Sequence, residues 1–152
     1  MNTRPAQPAD IPRLLTLIRR YWDFEGIAGF EALRIELVLK RLLADPALGL
    51  ILVAESQGGL AGYLIVVLVM SVEHRGLMGE IDEFFVLPAA RSQGTGSLLL
   101  AAAEAALVRR GCVRLQLQLG IDNTAARAFY QRRGYGPRAG YQLLDKPLPT
   151  QS

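Results

Sequence analysis

Residues 78–119 constrain this chain more than any other stretch, because they read as strand, glycine turn, helix and strand in direct succession. The first strand runs from about Met78 to Leu87 and ends at Pro88. The helix, about Thr95 to Arg110, is rich in Leu and Ala, carries two arginines at its end and stops at Gly111. Val113, Leu115, Leu117 and Leu119 then alternate with Arg114, Gln116 and Gln118, the period of a strand. Upstream, Asp10 is a candidate N-cap for a helix with an apolar face of Ile11, Leu14, Leu15, Ile18, Tyr21 and Trp22, broken at Asp23–Gly26. A second helix is expected from about Phe30 to Ala44, before Asp45-Pro46. Leu48–Glu55 and Leu60–Val72 flank Ser56-Gln57-Gly58-Gly59 as a hairpin. Downstream, Asn123 or Thr124 caps a short helix ending at Gly134, and Tyr135–Arg138 with Tyr141–Lys146 suit a last hairpin. The order ααβββαβαββ predicts a mixed α/β fold, a mostly antiparallel sheet flanked by helices, in a single domain over 1–152. A composition of 51% hydrophobic and 20% charged residues supplies the core and excludes global disorder.

Several function classes fall away. Cys112 is the only cysteine, so no disulfide closes within the chain, and one histidine with one cysteine cannot build a nitrogen–sulfur zinc cluster. A Ser-His-Asp or Cys-His site would have to use His74, which is expected on an exposed turn; Cys112 is expected in the core. A net charge of +3 suits an anionic small ligand. It is too mild to point to nucleic acid, and no basic run or aromatic stripe accompanies it, so no nucleic-acid partner is expected. The start is polar and proline-broken, and the most apolar region, Leu48–Val72, is split by Glu55–Gly59. Neither a leader nor a membrane span is expected, which points to a cytoplasmic protein.

The turn Val86-Leu87-Pro88-Ala89-Ala90-Arg91-Ser92-Gln93-Gly94-Thr95-Gly96-Ser97 carries the most chemistry. Glycine permits positive φ and puts no Cβ between the amides and an approaching anion. The helix behind it adds unsatisfied N–H donors and a partial positive charge, and together they suit a pyrophosphate. Arg91 can add a charged contact at the rim. A Walker loop would need Gly-Lys-[Ser/Thr], but Ser97 and Leu98 follow Gly96; a dinucleotide fingerprint would need a third glycine where Leu99 stands.

Arg91-x-x-Gly94-x-Gly96 after a Val86-x-Pro88 strand end resembles the acyl-CoA motif of the GCN5-related N-acetyltransferases (GNAT). Asn123-x-x-Ala126-x-x-Phe129-Tyr130-x-x-x-Gly134-Tyr135 is similar to that family's second signature. The resemblance implies an N-acetyltransferase acting on acetyl-CoA and a primary amine, with no metal. The strands near Met78–Leu87 and Val113–Leu119 would splay around the pantetheine arm. Backbone groups of Phe85, Val86 and Leu87 would bind that arm and polarise the thioester carbonyl. Arg91, Ser92 and the amides of Gln93, Gly94, Thr95, Gly96 and Ser97 would surround the pyrophosphate. Asn123 would touch the pantetheine side, and Tyr130 would protonate the leaving thiolate. Apart from the resemblance, Arg127, Arg132 and Arg133 make the fourth helix basic, and one of them, with Arg127 the candidate, can meet the 3′-phosphate. The amine would attack directly, without an acyl-enzyme.

An ammonium acceptor must lose a proton before it attacks, so a base is wanted. Glu80, Asp82 and Glu83 stand in a strand otherwise apolar enough to be buried, where carboxylates are costly unless paired or functional. Strict alternation places Glu80 and Asp82 on one face and Glu83 on the other with Ile81 and Phe85, unless a bulge intervenes. Glu83 is favoured over Asp82 as the base. Trp22, Asp23, Phe24 and Glu25 in the loop from Tyr21 to Phe30 offer an aromatic, acidic surface for a cationic acceptor, with Trp22, Phe24 and Glu25 the candidate contacts. A catalytically silent acyl-CoA-binding module on the same fold is the alternative. Homodimers are common in such folds, and no residue of the sequence proves one.

Overall fold

The computed structural model describes residues 1–151. The chain divides into two compact units, Met1–Leu117 and a smaller one from Gln118 on.

The first unit is built on a five-stranded sheet: β1 (Asn2–Pro5), β2 (Gly49–Ser56), β3 (Gly59–Ser71), β4 (Gly76–Val86) and β5 (Arg114–Leu117), side by side in that order. Neighbours from β1 to β4 pair antiparallel, and β5 joins β4 in parallel from Met78↔Arg114 to Ile81↔Leu117. A parallel neighbour needs a crossover, which α3 (Thr95–Arg109) supplies. Because both sheet faces are covered, β2 and β3 read as apolar runs rather than as an alternation. Leu14 and Ile18 of α1 (Ile11–Glu25) and Leu39 of α2 (Ala32–Ala44) pack with Ile51, Val53, Tyr63, Ile65 and Phe85 on one face. The buried side chains of α3, Leu99, Leu100, Ala103 and Leu107, serve the other. There Gly79 has to be glycine: a Cβ would come within 2.8 Å of Val66 Cγ1 and 3.1 Å of Leu107 Cδ1. In the second unit Asn123 caps α4 (Thr124–Gln131), its Oδ1 accepting the Ala126 N–H at 3.1 Å, and Gly134 takes φ +88 beyond the helix end.

The mixed sheet flanked by helices is as the sequence predicts; both ends of the element order differ. The polar start forms β1, an edge strand whose Pro5 sits at its end, where a missing N–H does least harm. Residues 135–151 carry no strand, so the expected last hairpin is not formed. Gly136, Pro137 and Gly140 leave too few unbroken residues there for a ladder. The helix α1 runs on through Asp23–Glu25 and is stopped by Gly26 at φ +70. The last sheet strand covers only Arg114–Leu117 of the expected Val113–Leu119. Cys112 precedes β5 rather than lying in a buried strand, and His74 is half-buried rather than exposed. Burial pushes the Cys112 thiol up, away from nucleophilic use.

Asp10 does not cap α1 with its side chain. Its Oδ2 accepts the Gln7 N–H at 2.8 Å and pairs with Arg4 Nη1 at 2.8 Å, while Arg4 Nε reaches Glu55 at 2.9 Å. Hydrogen bonding from Arg4 holds the Asp10 carboxyl below its ordinary value. A depressed carboxylate contributes stability above its unfolded pKa, near 4, that is lost as pH falls toward the folded value. Arg4→Gln is expected to cost about 2 kcal/mol at pH 7, the worth of a charged hydrogen bond, and much less at pH 3, as urea denaturation at the two pH values will measure.

Candidate active site

At the end of β4, Leu87 N–H donates to the Ala61 carbonyl at 2.8 Å, and Pro88–Ala90 forms a 3-10 turn. Ser92 at φ +66 and Gly94 at φ +80 turn the chain into α3. The first bond of that helix is Leu98 N–H to the Gly94 carbonyl at 3.0 Å, so the amides of Thr95, Gly96 and Ser97 lie ahead of the ladder, and Gly94 brings no capping side chain. A Cβ on Gly94 would meet nothing within 4 Å, so the approach is open. Gln93 folds its side chain back, Nε2 donating to the Ala89 carbonyl at 3.1 Å. Arg91 does not extend along the rim. Its Nε donates to the Val86 carbonyl at 2.8 Å, and its guanidinium lies 5.1 Å from the Phe24 ring and 5.5 Å from Phe85.

Beside this loop the sheet opens. Pairing with β5 stops at Ile81↔Leu117 while β4 continues to Val86, and among the described residues no strand lies against that stretch on the β5 side. The Leu87–Ala61 bond identifies Val86↔Gly62 as a pair whose own N–H and C=O point away from β3. The Phe85 backbone is therefore spent on Tyr63, and the Leu87 carbonyl accepts from Ala90 and Arg91. Of the expected trio, only Val86 turns its backbone to the open edge, and since its carbonyl accepts from Arg91 Nε, it is the N–H that the edge offers.

The register with β3 shifts between Ile65 and Val66: Ile65 faces Glu83, Val66 faces Ile81, and Asp82 is the extra residue of a β-bulge. Alternation therefore resets. Glu83 shares a face with Ile65 and Phe85, on the α1 side, but Ile81 goes with Val66 to the α3 side, contrary to the strict pattern. Asp82 is exposed. Glu83 is half-buried and held at both oxygens: Trp22 Nε1 donates to Oε2 at 2.7 Å and Tyr63 Oη to Oε1 at 2.9 Å. Burial pushes its carboxyl above the usual range, the two hydrogen bonds hold it down, and Asp82 adds to the rise. Asp82 is itself raised by partial desolvation and by Glu80.

Around this carboxylate stands an aromatic wall. Tyr21 lies 6.5 Å from Tyr63 and 5.8 Å from Phe85, ring centre to ring centre. Burial and the neighbouring acids push Tyr21 up to about 12. Sequence reasoning missed Tyr21 and Tyr63 as site residues. The available signal was that Tyr63 is the one hydroxyl-bearing residue between Leu60 and Met70, and a buried hydroxyl needs a partner. Trp22 is half-buried, its N–H committed to Glu83, whereas Phe24 and Glu25 are exposed. In the second unit Tyr130 is buried, 5.2 Å from Phe129 and 5.5 Å from Tyr135 between ring centres, and Arg127 Nη2 donates to the Ile121 carbonyl at 3.1 Å. A cavity of about 610 Å³ between α1 and the β2–β3 turn, lined by Arg13, Arg20 and Leu60 among others, touches Leu87 but no other candidate residue. Among the described residues no cluster of His, Cys, Asp and Glu could hold a metal, and no helix is long and apolar enough to cross a membrane.

The model of the acetyltransferase (GNAT) family matches residues 11–135. The chain is 30% identical over 145 residues to the uncharacterized N-acetyltransferase YhfO of Bacillus subtilis, covering 93% of each. It is 27% identical over 146 residues to an aminoglycoside N(6′)-acetyltransferase type 1 of Klebsiella aerogenes, covering 95% of each. Its fold is also that of a predicted acetyltransferase with acetyl-CoA from Clostridium acetobutylicum, with a TM-score of 0.80 at 19% identity over 95% of each chain.

Proposed function

We propose that this chain, which belongs to the acetyltransferase (GNAT) family, transfers an acetyl group from acetyl-CoA to a primary amine by direct attack in a ternary complex. The observation that carries the reading is the conjunction at the end of β4: an open strand edge at Val86 runs into a helix start whose leading amides have no capping side chain. Such a start suits a diphosphate, and such an edge suits an amide-bearing arm. The Clostridium protein with acetyl-CoA supports the donor, and the names of the two curated relatives support an amine acceptor. The family match runs through both compact units, which favours one catalytic domain over 1–152, and we read it as cytoplasmic.

Glu83 takes a proton from the acceptor ammonium, directly or through water. The freed nitrogen lone pair attacks the thioester carbonyl carbon, and the Val86 N–H, turned away from β3, is assigned to the oxyanion. The C–S bond breaks, the sulfur takes the electron pair, and Tyr130, assigned by the family's second signature, protonates it. The second proton on the attacking nitrogen leaves to water as the amide forms, and water returns a proton to the Tyr130 oxygen. Asn123 is assigned to the cofactor by the same signature, and Arg127 as one of the basic residues of α4 that can meet the 3′-phosphate. A carboxylate held by the neutral Trp22 and Tyr63, with Asp82 adding a second acid next to it, favours a cationic acceptor.

The test is CoA thiol release over a panel of primary amines, with Tyr130→Phe alongside. Turnover on at least one amine is expected, and the variant should lose about 10²-fold in kcat while calorimetry finds CoA binding unchanged. Cofactor binding with no turnover on any amine would make the protein an acyl-CoA sensor instead.

A further inference from the structure

We infer that Trp22 is the positioning residue of the base: its indole N–H, delivered by the last turn of α1, selects the ionised, proton-accepting form of Glu83. The inference rests on the reading of Glu83 as the base. Its ground is the unequal chemistry of the two donors on this carboxylate. Trp22 Nε1 sits 2.7 Å from Oε2, and an indole N–H can only donate. The contact bars a proton from Oε2 and leaves only Oε1 for it, and an N–H binds an ionised oxygen about twice as strongly as a neutral carbonyl, so the contact favours the anion. Tyr63 Oη sits 2.9 Å from Oε1, but a hydroxyl can rotate to donate or accept and serves either form. Trp22 therefore discriminates between protonation states and Tyr63 much less.

The indole is itself held by the acceptor loop. Gly26 ends α1, Ile27 N–H returns to the Trp22 carbonyl at 2.9 Å, and Phe30 meets the indole edge-on at 5.6 Å. The state of the base is thus tied to the last turn of α1 and to the segment from Gly26 to Phe30 that packs against it. The other groups that bear on Glu83 are Tyr21 from α1, Tyr63 from β3 and Asp82 on β4 itself; Glu25 acts on Tyr21, Glu80 acts on Asp82, and the Arg91 guanidinium lies over Phe85. None of these is removed by a change at Trp22.

The test is a carbon-detected NMR titration of the Glu83 carboxyl in the full chain, its signal identified by loss in Glu83→Gln, paired with the pH profile of kcat/KM. Trp22→Phe keeps an aromatic ring and removes the N–H. It should raise the Glu83 midpoint by about 1–2 pH units, the worth of one charged hydrogen bond, and move the acid limb of kcat/KM upward with it. Tyr63→Phe should move it less. Trp22 is the single tryptophan of the chain, so if the phenylalanine variant folds poorly, biosynthetic replacement by the benzothiophene analogue removes only the N–H. An unmoved midpoint in a folded variant, or a larger shift from Tyr63→Phe, overturns the inference. A midpoint that moves while the rate profile does not would instead remove Glu83 from the reaction, and with it the base assignment.

Discussion

Glu83→Gln is expected to lower kcat/KM by about 10²–10⁴-fold, the usual contribution of a positioned general base, while leaving the dissociation constant of CoA unchanged. The amide matches the carboxylate in size and can still accept from Trp22 and donate to Tyr63, so packing survives and proton uptake does not. Stability should move the other way. A carboxyl raised by burial binds its proton more tightly in the folded protein, so its ionisation destabilises the fold as pH rises from the ordinary carboxylate range toward the raised value. The glutamine variant lacks that loss. Thermal melts at pH 5 and pH 8 should show it gaining on the wild type at the higher pH. A variant equally active at saturating amine would return the base role to Asp82 or to water.

How much of this was legible in the sequence depends on the kind of signal. The glycine turn and the α3 start were readable because positive φ at Gly94 and an uncapped helix end leave a compositional trace. The Asn123 cap was readable for the same local reason. The face of Glu83 was read correctly relative to Phe85 and wrongly relative to Ile81. A bulge at Asp82 is set by the pairing of β4 with β3, and no residue of β4 alone announces it. The Trp22–Glu83 and Tyr63–Glu83 bonds join positions 61 and 20 residues apart, beyond the reach of any periodicity. The turn points Arg91 to the phosphate rim; its stacking on Phe24 depends on α1 running through Asp23–Glu25, while its bond to Val86 closes back on the end of β4. Polar Asn2–Pro5 became a strand only because β2 presented an edge to it.

Gly94→Asp is expected to weaken CoA binding at least 100-fold while leaving the fold close to its present stability. The two effects have separate physical origins. At φ +80 any side chain is strained, by about 1–2 kcal/mol in general and less for aspartate, whose short polar group tolerates the left-handed region. No steric term is added, since a Cβ there meets nothing within 4 Å. The new carboxylate lies beside the leading amides of α3, where an acid returns about 0.3–1 kcal/mol through the helix dipole, so strain and cap nearly cancel. That favourable contact is what excludes the cofactor: the carboxylate takes the donors the diphosphate would use and sets a like charge against it. Gly94→Ala carries the strain without the charge and should weaken binding by no more than about tenfold, the equivalent of that strain. Calorimetry with CoA on both variants, beside their urea midpoints, separates the cases. If aspartate and alanine weaken binding equally, the effect is conformational and the diphosphate does not sit on this helix.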